Sequence, residues 1–251
     1  GKIPINMASG DFNEDGNLDL VVTLRFSNVA VILGKGNGFF LEPYSMDVKG
    51  QPTAVLVGDY DKDGKTDVAV ALAGNGNKGV QVLCGKGDGK FEGSKAFKGG
   101  KQPLSLVSLD VNNDGLMEFV TSSNSLHALT TLINNGDKTF KSLRDFASGN
   151  FPKFVVAADF TGDGLQDIAV SNSTDDHVSV SLGRGDGTFT YPPIYHPVDQ
   201  HPQGMAVADF NGDGLLDIAV SCRDKNLIDI LSKKNMINPK PNLPVDLSKP
   251  S

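Results

Sequence analysis

Short apolar runs alternate with Gly-, Asp- and Asn-rich turns along most of the chain. Val55-Leu56-Val57, Val68-Ala69-Val70 and Val80-Gln81-Val82-Leu83 form one such group, and Leu227 to Leu231 alternates apolar and polar residues. Runs of this length, with period-two patterning and turn residues at both ends, predict β-strands. No stretch has the periodicity of a three-turn amphipathic helix, and no run is long enough to cross a membrane as a helix.

The strands recur in a repeat. Five nine-residue stretches align: DFNEDGNLD from Asp11, DYDKDGKTD from Asp59, DVNNDGLME from Asp110, DFTGDGLQD from Asp159 and DFNGDGLLD from Asp209. Their starts lie 48, 51, 49 and 50 residues apart, and a proline precedes each by seven residues (Pro4, Pro52, Pro103, Pro152, Pro202). A second mark follows, GNGFF at Gly36, GDGKF at Gly87, GDKTF at Gly136 and GDGTF at Gly185; the fifth unit has Ser232-Lys233-Lys234-Asn235 instead.

Units of about 50 residues with three or four short strands predict the blades of an all-β propeller, because one small sheet cannot bury both its faces alone. The units run over 4–51, 52–102, 103–151, 152–201 and 202–235, within a propeller spanning 1–235. Residues 236–251 read as a Pro-rich tail or closing strand. The first strand of each blade is expected innermost and buried on both sides. Phe40, Phe91, Phe140 and Phe189 are expected to pack between blades.

The acidic stretches carry oxygen side chains at positions 1, 3, 5 and 9 and glycine at position 6 (Gly16, Gly64, Gly115, Gly164, Gly214). Alternate oxygens on a tight loop converge on one centre, and glycine permits the positive-φ bend around it. The ligand set in the first unit is Asp11, Asn13, Asp15 and Asp19, with the main-chain carbonyl of Asn17. The second has Asp59, Asp61, Asp63 and Asp67 with the carbonyl of Lys65. The third has Asp110, Asn112, Asp114 and Glu118 with that of Leu116. The fourth has Asp159, Thr161, Asp163 and Asp167 with that of Leu165. The fifth has Asp209, Asn211, Asp213 and Asp217 with that of Leu215. Roughly six or seven hard oxygens per loop fit Ca²⁺ better than Mg²⁺ or Zn²⁺. Up to five structural calcium ions are expected. Unit two, with four acids, has the strongest electrostatic attraction. Units three and four, with Glu118 and Thr161, are the weaker candidates.

Composition sharpens this. The ligand positions hold 16 of the 30 Asp and Glu residues, and the net charge is −7. Carboxylates a few ångströms apart repel, so without a cation the loops should splay or hold protons. An acidic chain argues against nucleic acid as partner. Two cysteines exclude a disulfide-built scaffold and a Cys-rich zinc module; both are expected as free thiols. The start, Gly1-Lys2-Ile3-Pro4, has no apolar signal core and no Met, which reads as a removed targeting segment or a cut from a longer chain.

The motif D-x-[DN]-x-D-G-x-x-D followed by [LI]-x-x-G-[DN]-G-x-F resembles the FG-GAP repeat of integrin α-subunit propellers and the related VCBS repeats. The resemblance covers the chain to about Asn235, by the spacing of the repeats. It implies a propeller with Ca²⁺ in the hairpin between the first two strands of each blade. It also implies an extracellular, cell-surface or periplasmic location and a role in adhesion, carbohydrate recognition or assembly. Such propellers commonly have seven blades. The five units here favour a closed five-bladed ring, the alternative being part of a seven-bladed one.

Smaller signals are weighed on the same terms. Arg184-Gly185-Asp186 overlays Lys86-Gly87-Asp88 and reads as a turn. Asn172-Ser173-Thr174 fits an N-glycosylation acceptor. The four histidines read as surface or loop residues, and Tyr191 to Pro202 as a Pro-stiffened outer strand and connection. The lysines between Lys78 and Lys101 read as a solvated edge or a docking patch. No nucleophile–base pair can be assembled, so no catalytic residues are expected. The expected function is a calcium-stabilised module binding a protein or glycan ligand, without membrane insertion. A lectin is the alternative, and an accessory domain of a secreted enzyme the weaker one. The absence of Trp argues against a sugar site.

Overall fold

The computed structural model describes residues 3–74, 79–143, 145–233, 236 and 244–246. Lys78, the side chain of Lys95 and most of the tail lie outside the described residues. Five antiparallel sheets follow one another along the chain. The first holds β1 (Pro4–Gly10), β2 (Asp19–Leu24), β3 (Asn28–Ile32) and β4 (Tyr44–Asp47). The second holds β5 (Gln51–Gly58), β6 (Asp67–Ala73), β7 (Gly79–Gly85) and β8 (Phe91–Lys98). The third holds β9 (Pro103–Leu109), β10 (Glu118–Ser123) and β11 (Ala128–Asn134), with β12 (Phe140–Ser142) and β13 (Phe146–Ala147) both paired to β11. The fourth holds β14 (Pro152–Ala158), β15 (Asp167–Asn172), β16 (His177–Ser181) and β17 (Ile194–Pro197). The fifth holds β18 (Pro202–Ala208), β19 (Asp217–Cys222), β20 (Leu227–Leu231) and β21 (Pro244–Asp246).

Each acidic stretch is the connection between the first two strands of its sheet. The last rung of that ladder pairs the residue before the stretch with its ninth residue: Gly10 with Asp19, Gly58 with Asp67, Leu109 with Glu118, Ala158 with Asp167, Ala208 with Asp217. The repeated proline opens the first strand, where its missing N–H costs the ladder nothing. In all five sheets a register shift follows that proline directly.

The fully buried strands are the second ones, not the first. All six residues of β10 and β15 are buried, whereas β5, β9 and β14 are buried only in part. The reason is positional. The second strand has hydrogen-bonded strands on both edges and blades on both faces; the first has one unpaired edge.

The sheets pack in chain order, β1 against β5, β5 against β9, β9 against β14 and β14 against β18. The core is divided among these four junctions. Phe12, Val21 and Val31 meet Val55, Val70 and Phe91 between the first two blades. Tyr60 and Val82 meet Leu106, Phe119 and Phe140. Val111 and Val120 meet Val155, Val170 and Phe189. Phe160 and Val180 meet Met205, Val220 and Leu231.

Closure of five blades into a ring is not observed: among the described residues β18 and β1 lack the packing that joins the other first strands. Both end faces are exposed accordingly. Phe91, Phe140 and Phe189 are buried between blades as expected, but Phe40 is 43% exposed. Phe12, Tyr60 and Phe160 are buried, while their counterpart Phe210 is 48% exposed. Ile5 and Met7 on β1, and Ile3 just before it, also face solvent.

Candidate metal centres

The five loops are built alike. The carboxylate at position 1 accepts a hydrogen bond from the glycine amide at position 6, at 2.8 Å for Asp11, 3.0 Å for Asp59 and 2.8 Å for Asp110. Asp159 and Asp209 do so at 2.9 and 2.8 Å. The carboxylate at position 5 accepts from the amide at position 7: Asn17, Lys65, Leu116, Leu165 and Leu215 donate to Asp15, Asp63, Asp114, Asp163 and Asp213. Position 3 joins the same turn. Asn13, Asp61, Asn112 and Asn211 each accept the amide two residues on, and Thr161 donates its hydroxyl to Asp159. Glycine at position 6 has φ near 80° in every loop, as the bend requires. Position 4 is also left-handed, at Glu14, Lys62 and Asn113 as well as at Gly162 and Gly212. The two glycines are the only sequence trace of that second bend.

Position 9 has a role that the sequence pattern did not reveal. Asp19, Asp67, Glu118, Asp167 and Asp217 are fully buried. Each aspartate takes two amides, one from position 2 of its own loop and one from the end of the third strand. The distances are 2.8 and 2.7 Å for Asp19 (Phe12, Gly34), 2.9 and 2.7 Å for Asp67 (Tyr60, Gly85) and 3.0 and 2.8 Å for Asp167 (Phe160, Gly183). These carboxylates stitch the hairpin to the next strand. The stitch needs glycine on that strand, because a Cβ at Gly34, Gly85 or Gly183 would lie 2.2, 2.2 or 2.3 Å from the carbonyl oxygen of Leu18, Thr66 or Gln166. The third blade has Asn134 at this place and the longer Glu118 at position 9. Glu118 accepts the Val111 amide at 3.0 Å through Oε2. Its Oε1 is buried without a hydrogen-bond partner.

The electrostatics differ between mouth and floor where shifts are resolved. Amide hydrogen bonds hold Asp15 and Asp209 below the usual carboxylate range; Asp159 is also lowered, its amides outweighing burial. Burial, against the pull of two amides, pushes Asp67 up to about 6. Burial likewise pushes Glu118 up to about 7, with Asp114 and Asp110 adding to it, and raises Asp167. The floor carboxylates Asp67, Glu118 and Asp167 are thus raised, while the mouth carboxylates Asp15, Asp159 and Asp209 are lowered.

In the second blade Asp59, Asp61 and Asp63 present oxygens within 4.8 Å of one another, and carboxylate oxygens of Asp61 and Asp67 lie as close to each other and to the Cys84 thiol sulfur. Asp61 is therefore the point where the two clusters meet. The oxygens of Asp59, Asp61 and Asp63 suit a hard divalent cation, whereas the Cys84 sulfur does not. Contrary to the simple acid count, Asp61 is already engaged: Lys138 of the next blade reaches its Oδ2 at 2.7 Å.

Neighbouring blades complete the loops. The Gly89 amide donates to the Phe12 carbonyl at 2.8 Å, and the Gly187 amide to the Val111 carbonyl at 3.2 Å. Asn134 Nδ2 donates to the Tyr60 carbonyl at 2.8 Å. The second mark of one blade thus lies on the acidic loop of the blade before it.

The FG-GAP-like repeat family model matches residues 11–70, 110–170 and 159–220. The chain belongs to the FG-GAP-like repeat family. No curated protein matches it significantly. Among solved structures, BBS1N in complex with ARL6DN has a TM-score of 0.66 at 12% identity, over 98% of this chain and 69% of that one. A functionally unknown protein from Desulfotomaculum acetoxidans DSM 771 gives 0.65 at 11%, over 91% and 68%. The V. cholerae biofilm matrix protein Bap1 gives 0.58 at 17%, over 99% of this FG-GAP chain but only 40% of Bap1. At these identities the likeness is one of fold, that of a β-propeller.

Other residues depart from expectation. Asn172 is fully buried, its amide donating to Val170 and Ser179, so it is no glycan acceptor in the folded chain. His196 is buried in β17 rather than on the surface. Asp186 of the Arg-Gly-Asp tripeptide accepts the amide and hydroxyl of Thr188 within a turn. Cys84 and Cys222 are free thiols. A groove of about 420 Å³ between the third and fourth blades is lined by Thr131, Leu143, Asp145, Phe146 and Phe189. No helix among the described residues is long and apolar enough to cross a membrane.

Proposed function

We propose that this FG-GAP-like chain is a calcium-stabilised, non-enzymatic binding or assembly module that works outside the cytoplasm. The observation that carries the reading is the five-fold recurrence of one loop in which the carboxylates at positions 1 and 5 are fixed by loop amides. Calcium at each centre would offset the repulsion among the acids and let the floor carboxylates ionise. The proposed ligands are positions 1, 3, 5 and 9 with the carbonyl at 7, as given above. Binding of that kind adds directly to folding stability. The module reading is supported by the interblade groove, whose lining has one carboxylate and no base beside it. It is further supported by two structural neighbours, one crystallised in a protein complex and one named as a biofilm matrix protein. The test is direct. The chain should take up calcium stoichiometrically, retain partner proteins from an extracellular extract only with calcium present, and show no hydrolase activity. Selective binding on a glycan array would replace the protein-binding reading with the lectin one.

A further inference from the structure

Three departures from the repeat meet at the second loop. At position 3 the second acidic stretch has Asp61, where the others have Asn13, Asn112, Thr161 and Asn211. In the second mark the third blade has Lys138, where the others have Gly38, Gly89 and Gly187. At the end of the third strand the second blade has Cys84, where the first, third and fourth have Leu33, Ile133 and Leu182. The turn carrying Lys138 lies on the loop carrying Asp61, and the Cys84 sulfur is within 4.8 Å of an Asp61 oxygen.

Each departure answers another. Position 3 elsewhere brings a donor: Asn13 and Asn112 donate through Nδ2 to Asp15 and Asp114 at 2.9 and 2.8 Å, and the Thr161 hydroxyl donates to Asp159 at 3.3 Å. An ionised Asp61 brings only acceptors and one more negative charge. Its side chain is 2% exposed; Oδ1 accepts the Asp63 amide at 3.1 Å, and Oδ2 meets the Lys138 ammonium at 2.7 Å. The next blade thus supplies the donor that asparagine supplies from within the loop. Space follows the same logic. A Cβ at Gly89 would lie 2.9 Å from Leu33 Cδ1, and one at Gly187 2.9 Å from Ile133 Cδ1. Cys84 has no δ carbon to meet the Lys138 side chain. Lys138 keeps the positive φ of the glycines, at 66°, a backbone that lysine disfavours. The ion pair is what the exchange gains.

We infer that Lys138 is a tethered cation for the second loop. It holds Asp61 when no metal is bound and competes with calcium for Oδ2, so the most acidic loop binds calcium more weakly than its four carboxylates alone would. This rests on the calcium reading above.

Hydrogen exchange on the whole protein at stepped calcium concentrations tests it, because each loop is read separately. Lys138→Gly restores the turn of the other blades, and Lys138→Met keeps the length of the side chain. Each should lower by about tenfold or more the calcium concentration that protects the Asp63, Gly64 and Lys65 amides, since a unit charge within a few ångströms of the ion is removed. The first loop, read at Asp15, Gly16 and Asn17, should respond as it does in the native chain. Lys141→Met removes the same charge from the same blade outside the pair and should move the second loop far less. In chelator, Lys138→Met should speed exchange of the three second-loop amides by about threefold or more. An unmoved second-loop midpoint in both Lys138 variants, or an equal shift in Lys141→Met, overturns the inference, while a calcium response in the first loop upholds the metal reading. Unchanged exchange of Lys138→Met in chelator overturns the holding role. Absence of calcium-dependent protection in every loop overturns the metal reading and the competition with it.

Discussion

The floor carboxylates of the second and fifth blades make the same two hydrogen bonds and make them differently. Asp67 holds the amides of Tyr60 and Gly85 at 2.9 and 2.7 Å; Asp217 holds those of Phe210 and Lys233 at 3.3 Å each. Two things separate them. Gly85 allows the third strand to approach, where Lys233 stands in the fifth blade. Tyr60 is clamped against Phe119, with ring centroids 4.8 Å apart, where Phe210 is 48% exposed. A loop in this protein is therefore finished by the blade that follows it, and its own nine residues fix only the first part of its geometry.

The largest effect that sharpens this contrast is in the aromatic pair. Phe160→Ala should cost about 3–5 kcal/mol, because it opens a cavity in a closed junction. Phe210→Ala should cost under about 1 kcal/mol, because half of that ring is already in water. Equal losses in denaturant melts would erase the distinction between inner junctions and end faces. Next comes the stitch. Asp67→Ala leaves two buried amides without an acceptor and should cost about 2–4 kcal/mol. Asp217→Ala, which breaks two long bonds, should cost clearly less in the same assay. A smaller effect is expected in the turns. Both Gly187 and Gly38 have φ near 85°, but a Cβ at Gly187 would lie 2.9 Å from Ile133 Cδ1 and at Gly38 would meet nothing within 4 Å. Gly187→Ala should thus destabilise by about 1–3 kcal/mol and Gly38→Ala by about 1 kcal/mol, the backbone cost alone.

The pH response is the mildest of these. In chelator, the folded chain binds protons at Asp67 (up to about 6 from 3.8) and Glu118 (up to about 7 from 4.5) more tightly than the unfolded chain does. Their contribution to stability is therefore present below about pH 4 and is lost as pH rises to about 7. The melting temperature of the metal-free chain should fall across that window. With calcium saturating, it should rise instead, because protons and metal compete for the same oxygens.

Much of this was legible in the residues. The period of the acidic stretches announced five sheets, and the glycine at position 6 announced a left-handed bend that all five loops adopt. The burial of Phe91, Phe140 and Phe189 followed from the repeat, although only Phe91 and Phe140 open an outer strand, Phe189 lying in an isolated bridge to Gly183. What stayed hidden depends on contacts between units. Nothing in the nine-residue pattern says that Gly89 or Gly187 of the next blade will donate to its second carbonyl, or that Lys138 will reach back to Asp61. The acid count therefore ranked the second loop as the strongest attractor, although an ammonium already sits in it. Glu118 read as a departure at position 9, and it is buried and accepts the Val111 amide as the aspartates at this position accept theirs. The first strand looked innermost and doubly covered, yet hydrogen-bonding on both edges falls to the second strand. Asn172 matched a surface motif while its burial was set by β16.

The central claim is that a divalent ion holds each acidic loop to its sheet, and differential scanning calorimetry of the whole chain in excess calcium and in excess chelator tests it most directly. The account predicts a lower and broader transition in chelator, restored on adding calcium back, with the loss reduced in variants that remove the position 1 and 5 carboxylates. Superimposable transitions in the two buffers, with no heat of calcium binding, would contradict it.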